Sequence, residues 1–330
     1  MLLGAGLGTR LRPITFEVPK PLVPVLNRPV MGHILRLLQQ HGFPEVIANL
    51  HYFPDMIRER FGDGSDYGLE LSYSYEEELL GTAGGVRNVR DFLGTGTFLI
   101  ISGDALTDID LGALCTRHQE AGGIGTLALK AVEDPSQLGV VILTDDGRIQ
   151  GFQEKPDPAE ALSNLGSCGI YVFEPEIFDY FPDKEFVDWA QDVFPTLLER
   201  DVPLYGHEIH DYWNDVGSID ELLKGNFDAL SGRVRVEFEG FEIVNGLSRG
   251  NSSTLEGPVL MEPPVYIGEG CTMGADARLT GPVVIGDGCA IGDGALLRDA
   301  LVWPGSEMPA GSVLVRGIWG ARPLAKPPPP

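Results

Sequence analysis

Apolar and polar positions follow three different periods along this chain, and the change of period divides it. Up to about residue 230, short apolar runs alternate with stretches of helical spacing. Val46 to Leu50 and Phe98 to Ser102 read as buried strands, while Val30 to Gln40 carries apolar residues at helical spacing. Leu69, Leu71, Tyr73 and Tyr75 alternate as in a half-exposed strand, and Val140 to Leu143 and Ile149 to Phe152 flank Asp146-Gly147 as the arms of a hairpin. This alternation predicts a layered α/β domain with a mixed sheet. Ser218-Ile219-Asp220-Glu221 has the pattern of a capping box and opens a last helix that runs towards Leu230.

From about residue 255 the period becomes six. Leu255, Met261, Ile267, Met273, Leu279, Ile285, Ile291 and Leu297 fall in one register. A second register, two residues earlier, holds Val259, Val265, Cys271, Ala277, Val283, Cys289, Ala295 and Leu301. Two inward rows at a six-residue repeat predict a left-handed parallel β-helix with three short strands per coil. Gly268, Gly274, Gly286 and Gly292 are expected at its tight corners. The expected organisation is an α/β domain over 1–230, a linker over 231–254, the β-helix over 255–320 and a disordered Pro-rich tail over 321–330.

Composition narrows the partners. The 330 residues carry 24 basic and 48 acidic side chains, a formal net charge of -24, so the long-range field repels nucleic acid and anionic membrane. An anionic substrate must therefore meet a local positive pocket. No apolar run approaches the roughly 18 to 20 residues that span a bilayer. Cys115, Cys168, Cys271 and Cys289 show no close pairing and follow no secretory leader, the usage expected of reduced thiols in a cytoplasmic protein. Cys271 and Cys289 fall in the small inward row, where packing accounts for them.

The chemistry is concentrated near the start. In Gly4-Ala5-Gly6-Leu7-Gly8-Thr9-Arg10-Leu11-Arg12-Pro13, glycines at alternate positions let backbone amides approach a ligand closely. Arg10, Arg12 and Lys20, in Pro19-Lys20-Pro21, add fixed positive charge, which suits a nucleoside triphosphate. A Walker loop would need Gly-Lys-Ser/Thr, and a dinucleotide fingerprint a third glycine where Thr9 stands. Asp104, past the run Phe98 to Gly103, and Asp215, in Tyr212-Trp213-Asn214-Asp215-Val216-Gly217, stand where open sheets present ligand-binding residues. Two hard oxygen donors beside a triphosphate suit Mg²⁺; for Asp104, a turn-capping role is the competing reading. Glu154-Lys155-Pro156 offers an ammonium for a sugar phosphate and a carboxylate for sugar hydroxyls, against the alternative of a solvated ion pair.

Taken in order, Gly4 to Pro13, Pro19 to Val25, Leu80-Gly81-Thr82-Ala83-Gly84-Gly85, Ser102-Gly103-Asp104, Glu154-Lys155-Pro156, Gly166 to Tyr171 and Trp213 to Gly217 resemble the signature of the sugar-1-phosphate nucleotidyltransferases. The resemblance covers essentially the whole chain. With the six-residue repeat, it is most similar to the mannose-1-phosphate guanylyltransferase branch, whose C-terminal domain is a left-handed β-helix. It implies a Rossmann-like domain in which an NTP and a sugar 1-phosphate give an NDP-sugar and pyrophosphate, with GTP and mannose 1-phosphate as the expected pair. A UTP- or dTTP-dependent glucose-1-phosphate enzyme is the alternative, and a non-catalytic subunit that binds nucleotide sugar is the alternative of another class. Tyr75 to Glu78 followed by the Leu-Leu-Gly-Thr-Ala-Gly-Gly loop favours a purine.

By the same resemblance, Gly4, Ala5, Gly6, Gly8, Thr9 and Arg10 would hold the triphosphate, Lys20 would neutralise developing charge, and Asp104 with Asp215 would hold Mg²⁺. Gly81 and Thr82 would face the base. Lys155 would hold the sugar phosphate, with Glu154, Gly139 and Tyr171 on the sugar side and Asn164 as a further contact. The nucleophile is already an anion, which accounts for a site without a catalytic histidine. Family members usually carry three or four more residues before the first Leu-Leu pair; either the true start lies upstream of Met1, or the first strand is short and the loop it positions less rigid. Acyltransferases with six-residue β-helices use a histidine of the repeat; here His33, His41, His51, His118, His207 and His210 all precede it. The β-helix is therefore expected to be structural, burying a coil edge or building the homo-oligomer expected of the chain.

Overall fold

The computed structural model describes residues 1–236 and 246–320. The expected Pro-rich tail and residues 237–245 of the expected linker lie outside the described residues. The chain splits into two compact units, one of Met1–Leu7, Ile34–Ala105 and Ile109–Trp213, the other of Gly8–His33, Leu106–Asp108 and Asn214–Pro330. By this division the charged part of the N-terminal signature falls in the same unit as the β-helix.

The first unit is built on the nine-stranded mixed sheet that the alternating pattern predicts. Leu2–Leu3 lies between Glu45–Leu50 and Phe98–Ser102, parallel to both. These flanking runs are apolar at nearly every position because both faces of the central sheet are covered. Glu70–Tyr75 adds a further parallel strand, with Leu71 buried and Tyr75 exposed. On the other side Leu165–Phe173 runs antiparallel to Phe98–Ser102 and to Gly125–Ala131, with a register shift between Ser167 and Tyr171. Gly139–Leu143 and Ile149–Glu154 form the expected hairpin, and its register sets Glu154 opposite Gly139. Phe173 stacks on Trp189 at 4.8 Å between ring centroids, and Trp189 on Phe194 at 5.6 Å, in the aromatic cluster of this core.

In the second unit, Gly8–His33 is a run of short 3-10 turns followed by a hairpin of Pro24–Val25 with Arg28–Pro29. Its turn residues Leu26 and Asn27 both have positive φ, 47° and 64°, as the tightest two-residue hairpin turn requires. Helix Ile219–Leu230 begins where expected, with the Ser218 hydroxyl accepting from Glu221 N–H. The reciprocal half of the capping box is absent, since the Glu221 carboxylate accepts from Asn214 Nδ2 at 2.7 Å.

The six-residue rows fold as the left-handed β-helix. Val265 pairs with Val283, Met273 with Ile291 and Leu279 with Leu297, each eighteen residues on, so one coil takes three repeats. Three details differ from the pattern. Leu247–Arg249, inside the expected linker, already pairs with Val265–Ile267, so the first rung begins earlier, while Leu255, expected inward, is exposed. In the last coil Val283 pairs with Ala300 and Ile285 with Val302, a repeat one residue shorter, which turns Leu301 out of the inward row and puts Ala300 and Val302 there. Leu301 is still buried, as are Tyr266 and Val284 beside it in the same outer row, and helix Ile219–Leu230 packs on the strands Arg278–Ile285 and Leu296–Val302. The corner glycines are needed for close approach: a Cβ on Gly292 would lie 2.4 Å from Ala310 N of the next coil. No helix among the described residues is long and apolar enough to cross a membrane.

Candidate functional site

In the first unit, the glycine-rich loop leaves the sheet at Leu3. Gly4 N–H donates to Asn49 Oδ1 at 2.9 Å, and a Cβ on Gly4 would lie 3.0 Å from Asn49 O, so the first glycine is fixed by packing. Ala5 is buried. Around Gly6 a Cβ would meet nothing within 4 Å, so packing does not demand this glycine and the space above it is open to a ligand.

The base loop of the signature is braced on both sides. Gly81 has φ +82°, and a Cβ there would lie 2.4 Å from Val187 O, so only glycine fits. Val187 N–H donates to Leu80 O, and Ala83 and Gly84 N–H both donate to Val187 O. The Thr82 hydroxyl donates to Asp188 Oδ2 at 2.8 Å and accepts from Trp189 N–H at 3.1 Å. Its side chain thus holds the neighbouring segment, and the loop's backbone is what Thr82 offers a ligand.

Two residues that the signature does not contain complete this arrangement. Asn49 and Glu76 are buried, and Asn49 Nδ2 donates to Glu76 Oε1 at 2.7 Å while Leu80 N–H donates to Glu76 Oε2 at 3.1 Å. The signal for Asn49 is a lone amide inside the apolar strand Glu45–Leu50, where a buried polar group needs a specific partner.

Asp104 occupies the turn between Phe98–Ser102 and Ala105–Thr107 and is half-buried. Its approach is fixed by Gly103, where a Cβ would lie 2.7 Å from Leu3 O. On the far side of the sheet, Lys155 follows the hairpin with φ 46°, its N–H donating to Leu138 O, its Nζ 3.2 Å from Glu154 Oε1. A Cβ on Gly139 would lie 3.0 Å from Glu154 Oε2, so Glu154, Lys155 and Gly139 form one small polar group. Tyr171, expected on the sugar side, has its ring in the aromatic core. Its ring packs edge-on against Trp189 and Phe194, its hydroxyl is 3.2 Å from Ser167 Oγ, and burial raises its pKa to about 12. Tyr171 is a core residue first; Asn164 contributes its carbonyl to Val132 N–H.

The second unit holds the strongest electrostatic feature. Gly8 adopts φ +62° and would place a Cβ 2.9 Å from Thr15 Cγ2 and 3.2 Å from Lys20 Cβ, so this glycine folds the turn of Thr9 and Arg10 back over Lys20. Lys20 Nζ lies 3.0 Å from Asp215 Oδ1, and Arg10 Nη2 lies 3.0 Å from Asp215 Oδ2. Burial pushes the Asp215 carboxyl up, but Lys20 and then Arg10 outweigh it and hold the group below its usual range. Gly217 admits this triad, for a Cβ there would lie 2.8 Å from both Arg10 Nη2 and Asp215 Oδ2. The Lys20 side chain is 10% exposed and that of Arg10 52%. Lys20 is therefore a fixed charge, while Arg10 is free to swing onto a ligand. Each Asp215 oxygen keeps a second lone pair beyond its ion pair, so the carboxylate fits a Mg²⁺ ion that takes few protein ligands and several waters or phosphate oxygens.

Comparison with known proteins bears on the family and the fold. A family model described as nucleotidyl transferase matches residues 1–232, and one for six bacterial transferase hexapeptide repeats matches 263–299. A UTP–glucose-1-phosphate uridylyltransferase of Synechocystis is 36% identical over 96% of this chain and 85% of its own length. A mannose-1-phosphate guanylyltransferase of Mycobacterium tuberculosis is also 36% identical, over 70% of this chain and 64% of its own. The fold is similar to that of a Bacillus anthracis protein described as a glucose-1-phosphate thymidylyltransferase, with a TM-score of 0.64 and 24% identity over 72% of this chain and 95% of that one.

Proposed function

Because this chain belongs to the sugar-1-phosphate nucleotidyltransferase family, we propose that it joins the nucleotidyl group of UTP to glucose 1-phosphate, releasing pyrophosphate. The observation that carries the reaction is the Arg10–Asp215–Lys20 cluster, two cations held on one ionised carboxylate directly after the glycine-rich turn. The reaction joins two anions, and its barrier lies in their repulsion and in the charge that gathers on the α-phosphate and the leaving pyrophosphate. Backbone amides of Gly4, Ala5, Gly6, Gly8 and Thr9, with Arg10, take the triphosphate. Lys20 supplies charge to the reacting phosphate. Asp104 and Asp215 would hold Mg²⁺, which neutralises phosphate oxygens when bound. Gly81 and the backbone of Thr82 present the base, Lys155 takes the sugar phosphate, and Glu154 and Gly139 take sugar hydroxyls. No group is needed to deprotonate the nucleophile.

The uridylyl reading is supported by likeness to the Synechocystis enzyme along nearly the whole chain, repeat included. GTP with mannose 1-phosphate is the second reading, favoured by the Leu-Leu-Gly-Thr-Ala-Gly-Gly loop and by a guanylyltransferase relative at the same identity. The partner proposed beyond substrates is a second copy of the chain, bound through the β-helix, and the four free thiols suit a reducing cytoplasm. A matrix of five NTPs against glucose, mannose, galactose and N-acetylated sugar 1-phosphates, scored by Mg²⁺-dependent pyrophosphate release, tests the reading. UTP with glucose 1-phosphate should lead by about tenfold, the scale of a single epimeric or base contact. A lead for GTP with mannose 1-phosphate selects the second reading, and no release with any pair refutes both.

A further inference from the structure

The signature explains the ends of the two nucleotide loops but not what sets one against the other. Within the first unit, Gly4 opens the phosphate loop and Leu80 opens the base loop, and the two belong to distant parts of the sequence. They are joined by a continuous buried thread: Gly4 N–H to Asn49 Oδ1 at 2.9 Å, Asn49 Nδ2 to Glu76 Oε1 at 2.7 Å, and Leu80 N–H to Glu76 Oε2 at 3.1 Å. Both residues are 3% exposed. The strand ends that carry them are also tied together, by Glu76 N–H to Leu50 O and by His51 Nδ1 against Glu76 O at 2.9 Å. Space for the thread is kept by Gly85, where a Cβ would lie 2.6 Å from both Asn49 Nδ2 and Glu76 Oε1. A carboxylate placed this deep is costly unless its acceptors are filled. Here both oxygens are filled by amide donors, each of which positions a loop.

We infer that Asn49 and Glu76 are a positioning pair that sets the phosphate loop and the base loop at the separation of a nucleoside triphosphate. The inference rests on the nucleotidyltransferase reading. Donor and acceptor order is what makes the thread work: the carboxamide of Asn49 must accept on one side and donate on the other, and Glu76 must accept twice. Glu76→Gln puts an amide against one of two donors, and Asn49→Asp sets a second carboxylate against Glu76. Made together, the two substitutions reverse the middle bond and restore every pairing, with the new amide at 76 donating to the new carboxylate at 49 while the outer N–H groups keep their acceptors.

The test measures NTP affinity by calorimetry on the full chain, with KM for each substrate, kcat and melting temperature alongside. Each single variant should weaken NTP binding by about tenfold, the scale of one mispaired buried hydrogen bond. The KM for sugar 1-phosphate should stay within about twofold, and the double variant should recover most of the lost affinity. For Asn49→Asp the loss should deepen as pH rises, because a proton shared by the facing carboxylates repairs the bond at low pH. Loss of melting temperature with unchanged NTP affinity, or a double variant no better than the singles, overturns the positioning role. Binding is read without turnover, so a wild-type chain that binds NTP and releases no pyrophosphate would refute the proposed reaction and leave this inference to be decided by the affinities.

Discussion

Lys20 Nζ and Asp215 Oδ1 stand 3.0 Å apart although 195 residues separate them in sequence. The ion pair closes the second unit around its cationic loop, and it fixes a charge that would otherwise sample many rotamers. Substituting Lys20 leaves Asp215 paired with Arg10, and substituting Asp215 takes away the carboxylate 3.0 Å from Lys20 Nζ.

Asp215→Asn should therefore lower turnover by about two to three orders of magnitude, the range found when one preorganised charge at a reacting group is removed. It should also change the acid limb of stability. Because Lys20 and Arg10 depress the carboxyl pKa in the folded chain, Asp215 stabilises the fold fully above the ordinary carboxylate range, and this is lost as pH falls through the lowered value. Urea unfolding from neutral pH to below about pH 4 should show a shallower decline for the variant than for wild type. Parallel declines would contradict the assignment.

Asp104→Asn should leave the melting temperature and circular dichroism unchanged while removing most Mg²⁺-dependent pyrophosphate release. The turn it occupies is fixed by Gly103 against Leu3 O, so the isosteric amide has no packing reason to disturb it. Full turnover at the wild-type Mg²⁺ optimum would sink the metal role and leave the turn-capping reading.

Gly81→Ala should cost about 1–3 kcal/mol of stability, from a positive φ of 82° and a Cβ that would meet Val187 O at 2.4 Å. Since the displaced segment carries the base loop, KM for NTP should rise more than KM for sugar 1-phosphate. Chemical denaturation and steady-state kinetics check both. Equal stability of variant and wild type would show that the Val187 segment moves aside freely.

His33 is buried in the first turn of helix Val30–Gln40, with Nε2 3.1 Å from Val25 O, and burial lowers its pKa to about 4. A histidine kept neutral in the folded chain but free to protonate when unfolded gives stability that is present above about pH 6.5 and lost as pH falls to about 4. The loss should reach up to about 3 kcal/mol across that window. His33→Gln should remove this slope from the pH profile of the unfolding midpoint. A variant that keeps the wild-type slope would place the titration elsewhere.

The periods of the sequence were enough for the helix Val30–Gln40, the hairpin around Asp146-Gly147 and both inward rows of the β-helix, because each rests on local spacing. Leu301 escaped the pattern because the last coil is one residue shorter, a change visible only when Val283 is paired with Ala300. In the site, Arg10, Lys20 and Asp215 were legible as charges beside glycines or prolines, but their mutual contact, across as many as 205 residues, carries no signal in local spacing. Asn49 and Glu76 were not, since a buried amide and one glutamate of three in a row carry no spacing signal. Tyr171 was read from its place in the Gly166 to Tyr171 run, and the packing of its ring in the aromatic core carries no signal in that run.

The two-residue turn at Leu26 and Asn27 has a consequence for how such a chain can be shortened or recombined. Asn27 Nδ2 donates to Asp287 Oδ1 at 2.7 Å, and Leu26 N–H donates to Asn226 Oδ1 at 2.9 Å. The loop bearing Lys20 is thus stitched to a corner of the repeat barrel and to the helix lying against it. Cutting the gene ahead of Gly246 would remove the anchor of Asn27 and strip the cover from helix Ile219–Leu230. A boundary drawn where the repeats begin divides a diagram cleanly, yet in the folded molecule it runs through a seam that the N-terminal loop itself sews shut.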